Sequence, residues 1–298
     1  MRGPPPHLRA AGIDAMMPPR STLFPAMSRS KPLFHALALC AALAACSSTP
    51  AAVSTDAPAP TGYLRGDALP DSLALSPPPP AAGTAWAALD DAVAAQALTL
   101  RDSPRFRQAH IDADLGFPDG AQQFSCALGI PVDERHTPVL MRLLQRSLID
   151  ASAATRAAKT HYQRPRPFMV NGQPTCTPEQ EDHLRGSGSY PSGHTAIGWT
   201  WALILSEIAP ERATALLQRG RNYGHSRLVC NVHWYSDVQQ GQAMAAATVA
   251  RLHDDPQFGA DLLLAQREVE AVRKLGLPLP RDCATEAEAL KIEIPEAR

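Results

Sequence analysis

Between Lys159 and Asp237 the sequence gathers three cations, two histidines, a serine beside a glycine and a carboxylate at short fixed intervals. Six residues separate Lys159 from Arg166, five separate Arg227 from His233 and three separate His233 from Asp237. Between the first and second of these pairs lies Gly188 to Thr195, which reads GSYPSGHT. Fixed cations suit an anion whose charge spreads over several oxygens in the transition state: arginine forks onto two phosphate oxygens, and lysine acts as a point charge. Ser192 and Gly193 precede an apolar stretch, so a helix starting there points its first N–H groups at an anion, and the serine hydroxyl can add a bond. The same two residues also make an ordinary N-cap and turn, and both uses are compatible. His233 and Asp237 fall on one face if that stretch is helical, so the carboxylate can hold a proton on one ring nitrogen while the other attacks phosphorus. The chemistry this set fits is phosphoryl transfer carried by protein side chains.

The order K-x6-RP, then PSGH, then SR-x5-H-x3-D resembles the acid phosphatase and vanadium haloperoxidase superfamily, which includes the type 2 phosphatidic acid phosphatases. The longer string GSYPSGHT, together with Pro77 to Pro80 and the later Leu89-Asp90, resembles the class A bacterial non-specific acid phosphatases, from about Tyr63 to about Arg273. That resemblance implies an all-α helical-bundle domain that hydrolyses a broad range of small phosphate monoesters without a cofactor. It implies vanadate as inhibitor and phosphate mimic. It also implies His233 as the nucleophile that becomes phosphohistidine, supported by Asp237, and His194 as the proton donor to the leaving oxygen. Lys159, Arg166, Ser192, Gly193 and Arg227 would then bind phosphate. Relatives that prefer nucleoside triphosphates or transfer phosphate to alcohols use the same site, and a vanadium haloperoxidase shares the cradle. Lipid phosphatases set the clusters between membrane spans, and beyond residue 45 no run reaches the ~20 apolar residues a span needs.

Arg164, in Arg164-Pro165-Arg166-Pro167, competes with Arg166 for the phosphate role, but the six-residue gap selects Arg166 and leaves Arg164 as a rim or structural cation. A metal could be imagined on Cys230, His233 and Asp237, yet Cys-x2-His has no matching second half, so no metal is expected. His7, His35, His110, His136, His161, His183, His225 and His253 are read as structural or exposed.

Around this site the chain divides into an upstream extension and signal (1–45), a tether (46–82) and a catalytic domain (83–298). Met27 to Lys31 is basic, Leu33 to Ala45 is apolar but too short to span a bilayer, and Leu43-Ala44-Ala45-Cys46 resembles a lipobox. Cys46 is then the acylated anchor, Met27 the expected start, and Ser47 is not the aspartate associated with inner-membrane retention. The destination is the periplasm, on the outer membrane through that lipid, with a cleaved signal and a soluble or secreted product as the alternative. Fifteen of the 29 prolines fall in the first 80 residues, which reads as a spacer ending at Pro77 to Pro80, although Tyr63 to Leu75 can dock on the domain. Without residues 1–45 the chain has 23 basic and 28 acidic side chains, a net charge of −5 that does not favour nucleic acid. The sequence leaves an oligomer open. Cys126, Cys176, Cys230 and Cys283 remain, an even number that suits two disulfides with three connectivities. The nearness of Cys176 and Cys230 to site clusters favours joining them and leaves Cys126 for Cys283; other pairings and free thiols stay open.

The elements that must position the site read as helices. Trp86 to Leu100 is rich in Ala and Leu. After Thr137 as cap and Pro138 in the first turn, apolar residues recur at three and four from Val139 to Ala151, predicting a helix to about Lys159. His194 to Ile208 is apolar on most faces, as a buried central helix would be. Pro210-Glu211 restarts a helix toward Arg227, Val238 to Leu252 forms another, and Asp255-Pro256 opens a last one reaching about Lys274. No segment alternates as a strand.

Overall fold

The computed structural model describes residues 60–294, all of them helix, turn or loop without a strand. The signal, Cys40, Cys46 and the tether as far as Ala59 lie outside the described residues. Nine helices of seven residues or more are present among those described: α1 (Ala85–Leu98), α2 (Pro104–Ile111), α3 (Pro138–Ala154), α4 (Arg156–Tyr162), α5 (Gly193–Ile208), α6 (Ala213–Val229), α7 (Tyr235–Leu252), α8 (Pro256–Arg273) and α9 (Cys283–Leu290). The all-α expectation holds.

Helix α5 is the centre of the bundle. Its apolar residues Ile197, Trp201, Ile204 and Leu205 are buried on several sides, and α6, α7, α3 and α8 pack around it. The closest crossing is with α6, and glycine allows it. A Cβ on Gly198 would fall 2.3 Å from a ring carbon of Tyr223, and one on Gly220 would fall 2.4 Å from the Ala202 Cβ. Trp201 satisfies its buried indole by donating to the Leu144 carbonyl of α3 (2.9 Å), which fixes a third helix against the pair.

Several boundaries depart from the sequence reading. Thr137 does not cap α3: its hydroxyl turns back to Asp133, and the free N–H groups of Val139 and Leu140 donate to the Glu268 carboxylate of α8 at 3.0 and 2.9 Å. The helix expected to run to Lys159 breaks at Thr155, where both the N–H and the hydroxyl return to the Ser152 carbonyl. A new start at Arg156 re-aims Lys159. Asp255 caps α8 as expected, but α8 is not the last helix; α9 follows, its first residue joined to Cys126.

The segment assigned to the tether belongs to the folded domain from Thr61 on. Backbone N–H groups of Tyr63 and Leu64 donate to the Asp150 carboxylate (2.8 and 3.0 Å), and the Tyr63 hydroxyl donates to Asp261 (2.9 Å). Further along, the Ser72 hydroxyl accepts the Ala158 N–H at 3.0 Å, and the Pro77 carbonyl accepts the Tyr190 hydroxyl at 2.6 Å. The docking allowed for Tyr63 to Leu75 is thus present and continues to Pro77; proline-rich composition hid only where the tether ends, because the anchors are single residues whose partners lie far away in the chain. The disulfides are Cys126–Cys283 and Cys176–Cys230, with Cα–Cα distances of 5.5 and 4.6 Å.

Candidate active site

Three cations reach one cleft from three different elements. Lys159, near the end of α4, donates to the Gly188 carbonyl at 2.9 Å. Arg166 caps the short helix Pro167–Asn171 and donates to the carbonyls of Leu184 (3.0 Å) and Val232 (3.0 Å). Arg227 comes from the last turn of α6, is 1% exposed, and its Nε and Nη1 have no protein acceptor. Buried donors left without partners are costly, so this side chain is built to meet an anion. Burial, with the neighbouring Arg166, lowers Lys159 to about 7, and burial lowers Arg166 and Arg227 to about 10.

The start of α5 forms the floor. Ser192 Oγ accepts both the N–H (3.3 Å) and the hydroxyl (2.9 Å) of Thr195, which leaves its own proton to donate outward. The first N–H groups of the helix have no intrahelical acceptor. A Cβ on Gly193 would meet only Lys159 Cε at 3.6 Å and Thr155 at 3.8 Å, so the space kept clear there lies beside the lysine, in the cleft both line.

The two histidines stand on opposite supports. His233 precedes α7 rather than lying on it, so the expected shared helical face is not how it meets Asp237. Instead Asp237, in the first turn, accepts the Trp234 N–H (2.8 Å) and faces His233 Nδ1 at 3.3 Å. The other nitrogen, Nε2, accepts from Arg166 Nη1 at 3.1 Å. A proton on Nδ1 and a lone pair on Nε2 follow from these partners. His194 is opposite in sense: its Nε2–H donates to the Ala113 carbonyl at 3.0 Å, leaving Nδ1 for the cleft. Burial holds both rings well below the usual histidine range, reinforced at His194 first by Arg227 and at His233 first by Arg166. Burial also pushes the Asp237 carboxyl up, against the pull of Arg164.

Sequence reasoning missed two buried networks behind these rings. Arg164 binds Asp237 (2.6 Å) and Asp90 (2.7 Å), so it is a structural cation rather than a rim one. Asp112 accepts from the Ser226 hydroxyl (2.5 Å) and from Arg219, which also pairs with Glu286 of α9. Burial opposes the charged form of Asp112, yet Arg219 and Arg105 hold it below the usual carboxylate range. Asp112 adjoins Ala113, the carbonyl partner of His194, and Ser226 adjoins Arg227. Leu89-Asp90 and Ser226-Arg227 were visible as strings, but nothing local shows what Asp90 or Ser226 would touch.

Cys230, once imagined as a metal ligand, is in a disulfide, which removes its thiolate from that role. Among the described residues no helix is long and apolar enough to cross a membrane.

The cleft measures about 840 Å³ and is lined by Lys159, Arg166, Gly193, His194, Arg227 and His233 on its inner wall. Toward the mouth come Arg156, Gln163, Glu179 and His183. The three cations and both histidines thus line one cleft, with Nδ1 of His194 left without a protein hydrogen bond among the described residues.

Residues 142–257 match the PAP2 superfamily. Over 213 residues the chain is 44% identical to a non-specific acid phosphatase of Providencia stuartii, covering 71% of this chain and 86% of the relative. An acid phosphatase of Zymomonas mobilis is 41% identical over 203 residues, with 68% and 77% covered. A non-specific acid phosphatase of Salmonella typhimurium is 40% identical over 194 residues, with 65% and 78% covered. With the cation cradle, the paired histidines and these relatives in agreement, the chain belongs to the class A non-specific acid phosphatases of the PAP2 superfamily and is an acid phosphatase that hydrolyses phosphate monoesters.

Proposed function

We propose that hydrolysis runs without a metal through a phosphohistidine on His233, over a broad range of esters. Nε2 of His233 attacks phosphorus, the bond from phosphorus to the ester oxygen breaks, and the proton on Nδ1 of His194 goes to that oxygen. The alcohol leaves. Water then attacks the phosphohistidine and gives a proton to His194, the phosphorus–nitrogen bond returns its electron pair to Nε2, and inorganic phosphate departs. Lys159, Arg166, Arg227, Ser192 and the first N–H groups of α5 hold the equatorial oxygens. The observation that carries this reading is the orientation of His233, whose Nδ1 faces Asp237 while Nε2 faces Arg166 in the cradle.

The test is a panel of aryl, sugar and nucleoside monophosphates assayed with EDTA and with sulfate between pH 5 and 8. Activity is expected on every class and unchanged by EDTA; loss in EDTA restored by zinc or magnesium would overturn the metal-independent reading. Sulfate keeps its double charge throughout this range, so its inhibition reports protein groups. Lys159 titrates near 7 in the empty site and binds its proton more tightly beside an anion. Sulfate affinity should therefore be greatest below pH 7 and fall as pH rises above it. A flat profile would show that Lys159 does not change its charge in the anion site over this range.

The same proposal places the enzyme outside the cytoplasm, anchored by lipid on Cys46 of the Leu43-Ala44-Ala45-Cys46 string. Two disulfides in one domain suit an oxidising compartment and support the export part of this reading. Cys46→Ala should release the protein from membranes or block its processing, with catalysis by the folded domain unchanged. Unaltered membrane association and mature mass would rule the anchor out.

A further inference from the structure

Arg164 stands two residues before Arg166 but does not line the cleft; it opens with Asp90, Asp91, Pro165 and Trp234 on a separate cavity of about 250 Å³. Its guanidinium bridges two carboxylates that are almost wholly buried, Asp90 and Asp237. Asp90, on α1, also accepts the N–H (2.7 Å) and the hydroxyl (2.6 Å) of Ser236, the residue before Asp237, and Arg164 Nη1 donates to the same hydroxyl at 2.8 Å. The side-chain hydrogen bonds of Asp90 thus go to Asp237's neighbour in the chain and to the arginine that grips Asp237.

We propose that Asp90 and Arg164 are positioning residues for hydrolysis: together they fix the orientation and the effective charge of Asp237, so that it keeps the proton on Nδ1 of His233 and leaves Nε2 for phosphorus. This rests on His233 being the nucleophile. A rigid guanidinium fork can hold two carboxylates at once, which a lysine cannot do in the same geometry. Arg164 alone would cancel the charge of Asp237. With Asp90 on its far side the set carries one net negative charge, felt strongly by a buried ring.

That charge is set against a crowded field. His233 faces Arg166 from its own loop region, Lys159 from α4 and Arg227 from α6, with His194 across the cleft on α5. Asp237 faces Arg164 and Lys159, and Tyr190 lies within reach of both Asp237 and Asp90. Asp90→Asn removes one negative charge from this balance and leaves the three cations untouched. His233 then binds a proton less readily. Because the attacking ring must be neutral, with no proton on Nε2, the acidic limb of kcat/KM should move to lower pH. A site that was only loosened would admit water, lose the burial that depresses His233, and shift the limb to higher pH.

The experiment compares wild type, Asp90→Asn and the exposed neighbour Asp91→Asn on p-nitrophenyl phosphate, an ester that asks least of His194. For Asp90→Asn kcat/KM should fall about 10- to 100-fold, a cost like that of losing an outer partner of a metal-bound histidine. Its acidic limb should move down, and inhibition by sulfate should stay within about threefold of wild type because the cradle is intact. Asp91→Asn should match wild type. A limb that stays in place or moves up, or unchanged kcat/KM in Asp90→Asn, would overturn the inference. Asp90→Ser removes the same charge without setting an amide against the guanidinium, so it carries the test if Asp90→Asn fails to fold. Quenching the wild type in alkaline detergent, in which a phosphorus–nitrogen bond survives, after mixing it with a radiolabelled ester separates the two levels. No label on His233 defeats the phosphohistidine reading itself, whereas label on His233 with a wild-type pH profile in Asp90→Asn defeats only the positioning role.

Discussion

His233→Ala should abolish turnover of aryl and alkyl phosphates alike, a loss on the order of 10⁴ to 10⁶ in kcat, the scale seen when a nucleophile is removed. No other side chain can take over the phosphoryl group. Ser192 on the floor has its oxygen occupied by two bonds from Thr195, and His194, whose Nε2–H is held on the Ala113 carbonyl, has only Nδ1 left, which the proposed mechanism uses to protonate the leaving oxygen. Binding should survive, since the three cations come from α4, the loop before Pro167 and α6, and only Arg166 touches the ring. Sulfate should still bind the variant within a few-fold of wild type, as displacement of a fluorescent or radiolabelled anion would show. Residual hydrolysis above a hundredth of wild type on any ester would mean that phosphorus is attacked by something other than His233.

The site was legible where chemistry and chain spacing coincide, and illegible where a residue works through a distant partner. Lys159, Arg166, Arg227, His194, His233 and Asp237 announce themselves because one helix turn or one tight loop sets each interval, and the cleft gathers Lys159, Arg166, Gly193, His194, Arg227 and His233. The helices were readable for the same reason, since an apolar stripe is a local pattern. By contrast, the cap on α3 comes from Glu268, the clamp on Tyr63 from Asp150, and the grip on Asp237 from Arg164 and Asp90. Each of these is an ordinary charged residue that would be at home on a solvated surface. Tertiary burial alone turns it into a device, and burial is a property of the fold rather than of the neighbouring letters. His233 shows an intermediate case: the four-residue spacing to Asp237 correctly paired the two, but the geometry behind it is a helix start, where Asp237 reaches back to the Trp234 N–H and the ring beyond it.

The two networks divide the support between the histidines, with Asp90 and Arg164 behind His233 and Asp112, Ser226 and Arg219 around the carbonyl and helix that flank His194. Buried ion pairs of this kind contribute little net stability compared with well-packed apolar residues, but removing one partner leaves a buried charge. If the two histidines act as proposed, the fixed geometry that an acid and a nucleophile require explains these networks better than the stability of the bundle does.

His194→Ala should separate esters by their leaving groups. An alkoxide, as from glycerol phosphate, is a poor leaving group that needs a proton while the bond to phosphorus breaks, whereas p-nitrophenolate departs largely unaided. Losing a general acid costs on the order of 10² to 10⁴, and most of that should fall on the alkyl ester. On the proposed mechanism the imidazolium donates from Nδ1, because Nε2–H is tied to the Ala113 carbonyl. In the empty site burial, with Arg227, keeps this ring from holding a second proton. A phosphate dianion offsets those cations and raises the ring's proton affinity, so the acid is loaded only when substrate is bound. Since the donor must be protonated, kcat on the alkyl ester should fall as pH rises, and His194→Ala should flatten that limb. Equal losses on both esters, with sulfate still bound normally, would take the acid role away from His194. The reverse pattern, in which His233→Ala shows the leaving-group selectivity, would mean that the two histidines exchange roles.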